Sequence, residues 1–160
     1  MKHRLTPVLA ALAIALSMMR AAHAEPRAVQ PAPLSVTAAP DSPHKLPAGA
    51  YELAVTTSGD HAARVLVTAR RPLKNFRIVA IAYVPGDDAA DPAVRFTTTR
   101  VLHTLPMLSP DKPLYALVEM TGSIPNTGFS YTAEDGTQPV FALSEHGGDG
   151  SLFVFAIEGI

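Results

Sequence analysis

The chain contains no cysteine, and that one absence removes several classes of protein. Without disulfides the folded part must hold together by burying apolar surface, as a domain above about 100 residues can do. Iron–sulfur, thiolate-zinc, blue-copper and cysteine-nucleophile chemistry each require the missing sulfur. A diacylated lipid anchor at a signal cleavage site needs it too. Long apolar runs are also scarce. The only one, Leu5 to Met19, falls short of the roughly 20 residues that span a bilayer. No stretch has the apolar period of an amphipathic helix of three turns, no internal repeat is visible, and no strand-Gly-x-Ser-x-Gly-helix elbow occurs. No motif specifies a chemistry, so no cofactor is implied and an enzyme is not expected.

The first 24 residues read as an export signal. Lys2, His3 and Arg4 form a positive start, Leu5 to Met19 is the apolar run, and Ala22-His23-Ala24 is a small-x-small cleavage site. Cleavage would leave Glu25 as the mature N-terminus and no membrane-spanning segment behind it, giving a soluble periplasmic or secreted protein. It would remove Lys2, Arg4 and Arg20 from the 13 basic residues and none of the 14 acidic ones, for a net charge of −4. Such a balance gives no electrostatic reason to expect nucleic acid or an anionic membrane as partner.

Residues 25–47 contain Pro26, Pro31, Pro33, Pro40, Pro43 and Pro47 and predict a flexible leader, because proline removes donors and restricts its predecessor. From residue 48 to 160 the texture changes to short β-branched and aromatic runs with period-two alternation, separated by Gly, Pro, Asp and Asn. Residues 75 to 84 are apolar on both faces, as in a central strand covered on both sides. The threonine-rich run from Val94 to Leu105 reads as an edge strand, and Pro106 opens a loop. Glu134-Asp135-Gly136 and His146 to Gly150 predict tight turns that need positive φ. The whole predicts an all-β, immunoglobulin-like antiparallel β-sandwich of about eight strands, with a small β-barrel as the alternative.

Several residue groups bear on chemistry. His44, His61, His103 and His146 would survive cleavage, and His103, Met107 and His146, with Met120 nearby in type, supply donors that suit copper or zinc. Ser144, Glu145, His146 and Asp149 hold the side chains of a hydrolytic triad, but neighbours on one strand point to opposite faces. Asp87, Asp88 and Asp91 lack the spaced oxygens of a calcium loop, and Gly147-Gly148-Asp149-Gly150 lacks the helix that a phosphate cradle needs. Arg64, Arg70, Arg71, Lys74 and Arg77 concentrate half of the mature basic residues within fourteen positions. Read as two adjacent strands joined by a Pro-containing turn, they would form one positive patch for an acidic envelope or extracellular protein or an anionic polymer. They also suit edge protection against aggregation. The expected function is an exported, non-catalytic binding or accessory module of the cell envelope, the alternative a periplasmic copper- or zinc-handling protein. A hydrolase is the third reading.

Overall fold

Period-two alternation in the sequence becomes strand after strand. A computed structural model describes residues 32–43, 46–84, 95–122 and 124–157; the stretch expected to be an export signal, His44 and the Asp87 to Asp91 run lie outside the described residues. Within them run β1 (Leu34–Ala38), β2 (Glu52–Val55), β3 (Ala62–Ala69), β4 (Leu73–Val84), β5 (Arg95–Leu108), β6 (Leu114–Glu119), β7 (Thr127–Thr132), β8 (Val140–Glu145) and β9 (Leu152–Ile157). They form a four-stranded sheet in the order β1-β3-β6-β2 and a five-stranded sheet in the order β5-β4-β7-β8-β9. No pairing joins one sheet to the other among the described residues, so the architecture is a sandwich and not a barrel. The described residues contain no helix long and apolar enough to cross a membrane.

The β1-β3-β6 and β5-β4-β7-β8 orders are those of the A-B-E and C′-C-F-G strands of an immunoglobulin-like sandwich. Two features depart from that plan. β2 joins the β6 edge in parallel, and β9 extends the five-stranded sheet by pairing antiparallel with β8.

β1 falls inside the stretch expected to be a flexible leader. Leu34 and Val36 alternate with Ser35 and Thr37, so this stretch has strand periodicity, and its prolines flank the strand without interrupting it. It pairs antiparallel with β3 from Leu34↔Ala69 to Ala38↔Val65, burying Leu34 to 2% and Val36 to 5% exposure. The fold therefore begins no later than Leu34, ahead of residue 48. Pro106 is a smaller departure: it lies inside β5, where an edge strand loses no ladder bond to its missing N–H.

The expected turns form. Gly136 has φ 82° between β7 and β8, where Asp135 Oδ1 accepts hydrogen bonds from the Thr137 amide at 3.0 Å and hydroxyl at 2.6 Å. Gly150 has φ 70° between β8 and β9, its amide donating to the His146 carbonyl at 3.0 Å.

Two apolar clusters follow from the two faces of β4. Phe76 and Ile78 face the other sheet and join Leu34, Val65, Val67, Leu108, Leu114, Val118 and Phe129, with the Phe76 and Phe129 rings stacked at 5.9 Å. Val79 and Ile81 face the opposite way and bury with Val140 and Ala142, flanked by Phe96, Phe155 and Ile157. Phe96 and Phe155 lie on the two edge strands of the five-stranded sheet, which a flat sheet would hold about 19 Å apart at ~4.8 Å per strand. Their ring centroids are 6.3 Å apart. The sheet is therefore strongly curled, and its outer face is a concave trough with its own apolar layer. Gly128 lies on this face opposite Val79 and Ala142. A Cβ there would come within 3.0 Å of the Phe141 carbonyl oxygen and 3.4 Å of both the Ile81 and Val140 side chains, so glycine allows those two to close over β7.

Candidate functional site: a basic hollow on the concave sheet

The trough changes character along its length. At one end lie Ile81, Phe96 and Phe155; toward the other, β4 contributes Arg77 and Lys74 opposite Ser130 and Thr132 of β7. A hollow of about 430 Å³ opens there, lined by Arg77, Arg100, Ser130 and Gln138 among polar residues and by Val79, Val101 and Val140 among apolar ones. Thr98 and Thr99 complete the lining. Among the described residues that line it, none is acidic.

Irregular pairing builds this hollow. The β4–β5 register shifts between Ile78/Val79 and again between Ala80/Ile81, leaving Leu102 and Thr99 of β5 without a partner of their own. A regular strand turns successive side chains to opposite faces, whereas Thr98, Thr99, Arg100 and Val101 all border the same hollow. Bulges re-aim side chains in this way, and they bracket Arg100. Across the hollow the Arg77 guanidinium donates to Gln138 Oε1 at 2.8 Å, which fixes its direction. The Arg100 side chain is exposed and has no hydrogen-bond or ion-pair partner among the described residues.

A second hollow of about 560 Å³ involves Arg71, Lys74, Tyr131, Thr132 and Glu134. Arg71 is held by Glu134 at 3.3 Å, an exposed pair worth little on its own.

The five basic residues singled out from the sequence are thus divided. β3 and β4 are consecutive in the chain but belong to different sheets, because Arg70-Arg71-Pro72 crosses the sandwich. Arg71, Lys74 and Arg77 come to the two hollows of the five-stranded sheet. Arg64 lies on the four-stranded sheet opposite Leu117, and Arg70 borders a recess between β1 and β9. Arg100, Thr98, Thr99, Ser130 and Gln138 escaped notice in the sequence. The trace they leave there is the Thr97-Thr98-Thr99-Arg100 run, which breaks the polar-apolar alternation of its neighbours.

The candidate metal donors are not gathered. His103 pairs with Ile78 and Met107 with Lys74, four residues apart on one strand and so about 13 Å apart along it. His146 sits in the β8–β9 turn, its ring stacked on Phe153 at 4.2 Å. No group of three His, Cys, Asp or Glu capable of holding a metal occurs among the described residues. His103 Nε2 is buried without a hydrogen-bond partner there. The hydrolytic grouping is not assembled either. Asp149 Oδ1 accepts from the Ser151 amide at 2.9 Å, and that bond holds its carboxyl below the ordinary aspartate value. No hydrogen bond links Ser144 to His146 among the described residues.

The chain matches no protein-family model, no curated protein and no solved structure.

Proposed function

We propose that this protein is a non-catalytic binding module that works in the periplasm or outside the cell, meeting an acidic partner with the concave face of its five-stranded sheet. One observation carries the reading: Arg77 and Arg100 share one hollow, while Arg71 and Lys74 border a second on the same sheet. Clustered cations over apolar walls attract anionic groups more strongly than the same charges dispersed in water. The rigid frame comes from the sandwich core, and Gln138 holds Arg77 in place on it, which lessens the ordering cost of binding at that residue. Export rests on the Lys2 to Ala24 signal pattern.

The test uses poly-L-glutamate as a probe acidic chain. The purified protein should bind it in low salt and release it as salt rises, and the double variant Arg77→Glu/Arg100→Glu should bind far less. Arg64→Glu, on the other sheet, should leave binding unchanged. Equal loss from both variants would point to net charge alone and overturn the assignment to this face. The intact mass of protein recovered from its exporting host should begin at Glu25.

A further inference from the structure

We propose that the hollow between Arg77 and Arg100 is a site for a carboxylate carried on a compact apolar body. This rests on the reading of the concave face as a binding surface, and it goes further by naming the ligand chemistry.

Three features point to it. The first is construction: two bulges bring four consecutive β5 residues around one hollow, an arrangement that costs regular ladder pairing and recurs beside functional sites. The second is charge. Two guanidiniums border the hollow with no acidic residue among its described lining, so no described lining residue offsets their positive charge. Arg77 is already oriented by Gln138 at 2.8 Å, while Arg100 has all its donors available among the described residues. A planar guanidinium fork matches a planar carboxylate in two parallel bonds. The third is the wall. Val79, Val101 and Val140 give the hollow an apolar side, and its volume of about 430 Å³ falls in the range of small-molecule sites, roughly 300–1,000 Å³. Inorganic phosphate or sulfate would satisfy the guanidiniums but gain nothing from three valines. A hydrocarbon tail beyond a carboxylate uses both sides of the hollow. Ser130 and Thr98 add hydroxyls that can donate to the same oxygens.

The experiment is a set of titrations of the purified protein, followed by amide chemical shifts, with hexanoate, acetate, hexanamide and inorganic phosphate as probes. Hexanoate should produce saturable shifts centred on Thr98 to Val101 and Gln138. It should bind at least about tenfold more tightly than acetate, since each methylene brought out of water favours binding. It should also bind at least about tenfold more tightly than neutral hexanamide, which loses the charge-assisted bonds. Arg100→Gln should weaken hexanoate binding by a similar factor with the fold's other amide shifts unchanged, and Arg100→Lys should restore only part of it. Phosphate binding as tightly as hexanoate would overturn the proposal, as would hexanamide matching hexanoate or shifts centred elsewhere. Failure of hexanoate with poly-L-glutamate binding intact would remove this proposal and leave the binding face standing. Failure of both probes would remove both.

Discussion

The two faces of the five-stranded sheet use the same strands for opposite purposes. Its inner face is chiefly apolar and packs against a second sheet, so Phe76, Ile78 and Phe129 are fully buried, while Thr127 on the same face donates across to the Glu119 carbonyl at 2.8 Å. Its outer face has no such partner among the described residues. There the sheet curls over itself, burying Ile81 and Ala142 at one end and leaving Arg77, Arg100 and Lys74 around hollows at the other, with Val79 and Val140 shared between the apolar layer and the wall of one hollow. The contrast shows how a sandwich separates stability from recognition. A face sealed by another sheet has no room for charge, whereas a face sealed only by curvature can be apolar where it closes and polar where it opens.

That contrast can be tested by substitution. Phe129→Ala, which empties a ring stacked on Phe76 in the inner layer, should cost about 3–5 kcal/mol in chemical denaturation. Leu34→Ala should cost about 2–4 kcal/mol. A negligible effect would mean that β1 adds little to the inner layer despite its pairing with β3. On the outer face Ile81→Ala should cost less than Phe129→Ala, about 2–3 kcal/mol, because a cluster bordered by partly exposed Phe96 and Phe155 can settle into the space. Equal costs would make the curled face a core of the same rank as the inner one. Gly128→Ala adds a methyl group where Ile81 and Val140 nearly meet and should cost about 1–3 kcal/mol through overpacking.

The smallest effects belong to the exposed ends. Arg71→Ala removes the exposed contact with Glu134 and should change stability by no more than about 0.5 kcal/mol, while weakening poly-L-glutamate binding. Asp149 gives a sign for pH. Its carboxyl is held below the ordinary value chiefly by the Ser151 amide, so the turn's contribution is present above the unfolded carboxyl's titration range and lost as pH falls through the lowered value. Asp149→Asn should flatten that acid limb in a stability-versus-pH series by lowering stability slightly at neutral pH, while the most acid points stay almost unchanged.

Much of the strand pattern could be read from local chemistry. Alternation marked β2 through β9, the threonine-rich run marked β5 as an edge, and Asp135-Gly136 and Gly150 marked the two C-terminal turns, since each signal acts within a few residues. β1 was less visible because its five residues are enclosed by prolines, although Leu34 and Val36 already alternate with polar neighbours. Of the site, only Arg71, Lys74 and Arg77 stood out. Arg100 lies 23 positions beyond Arg77 and its place depends on two register shifts that no local pattern specifies.

The sequence by itself determined which segments form strands, where the chain turns and which faces are apolar, because side-chain period and turn chemistry are properties of neighbouring residues. Tertiary structure alone decided that Arg70-Arg71-Pro72 crosses between sheets, that β1 completes the four-stranded sheet, and that the five-stranded sheet curls until the Phe96 and Phe155 rings of its edge strands meet. Those outcomes depend on which distant strands pair and in what register, and the free energy that selects them appears only once both layers have buried their apolar faces together.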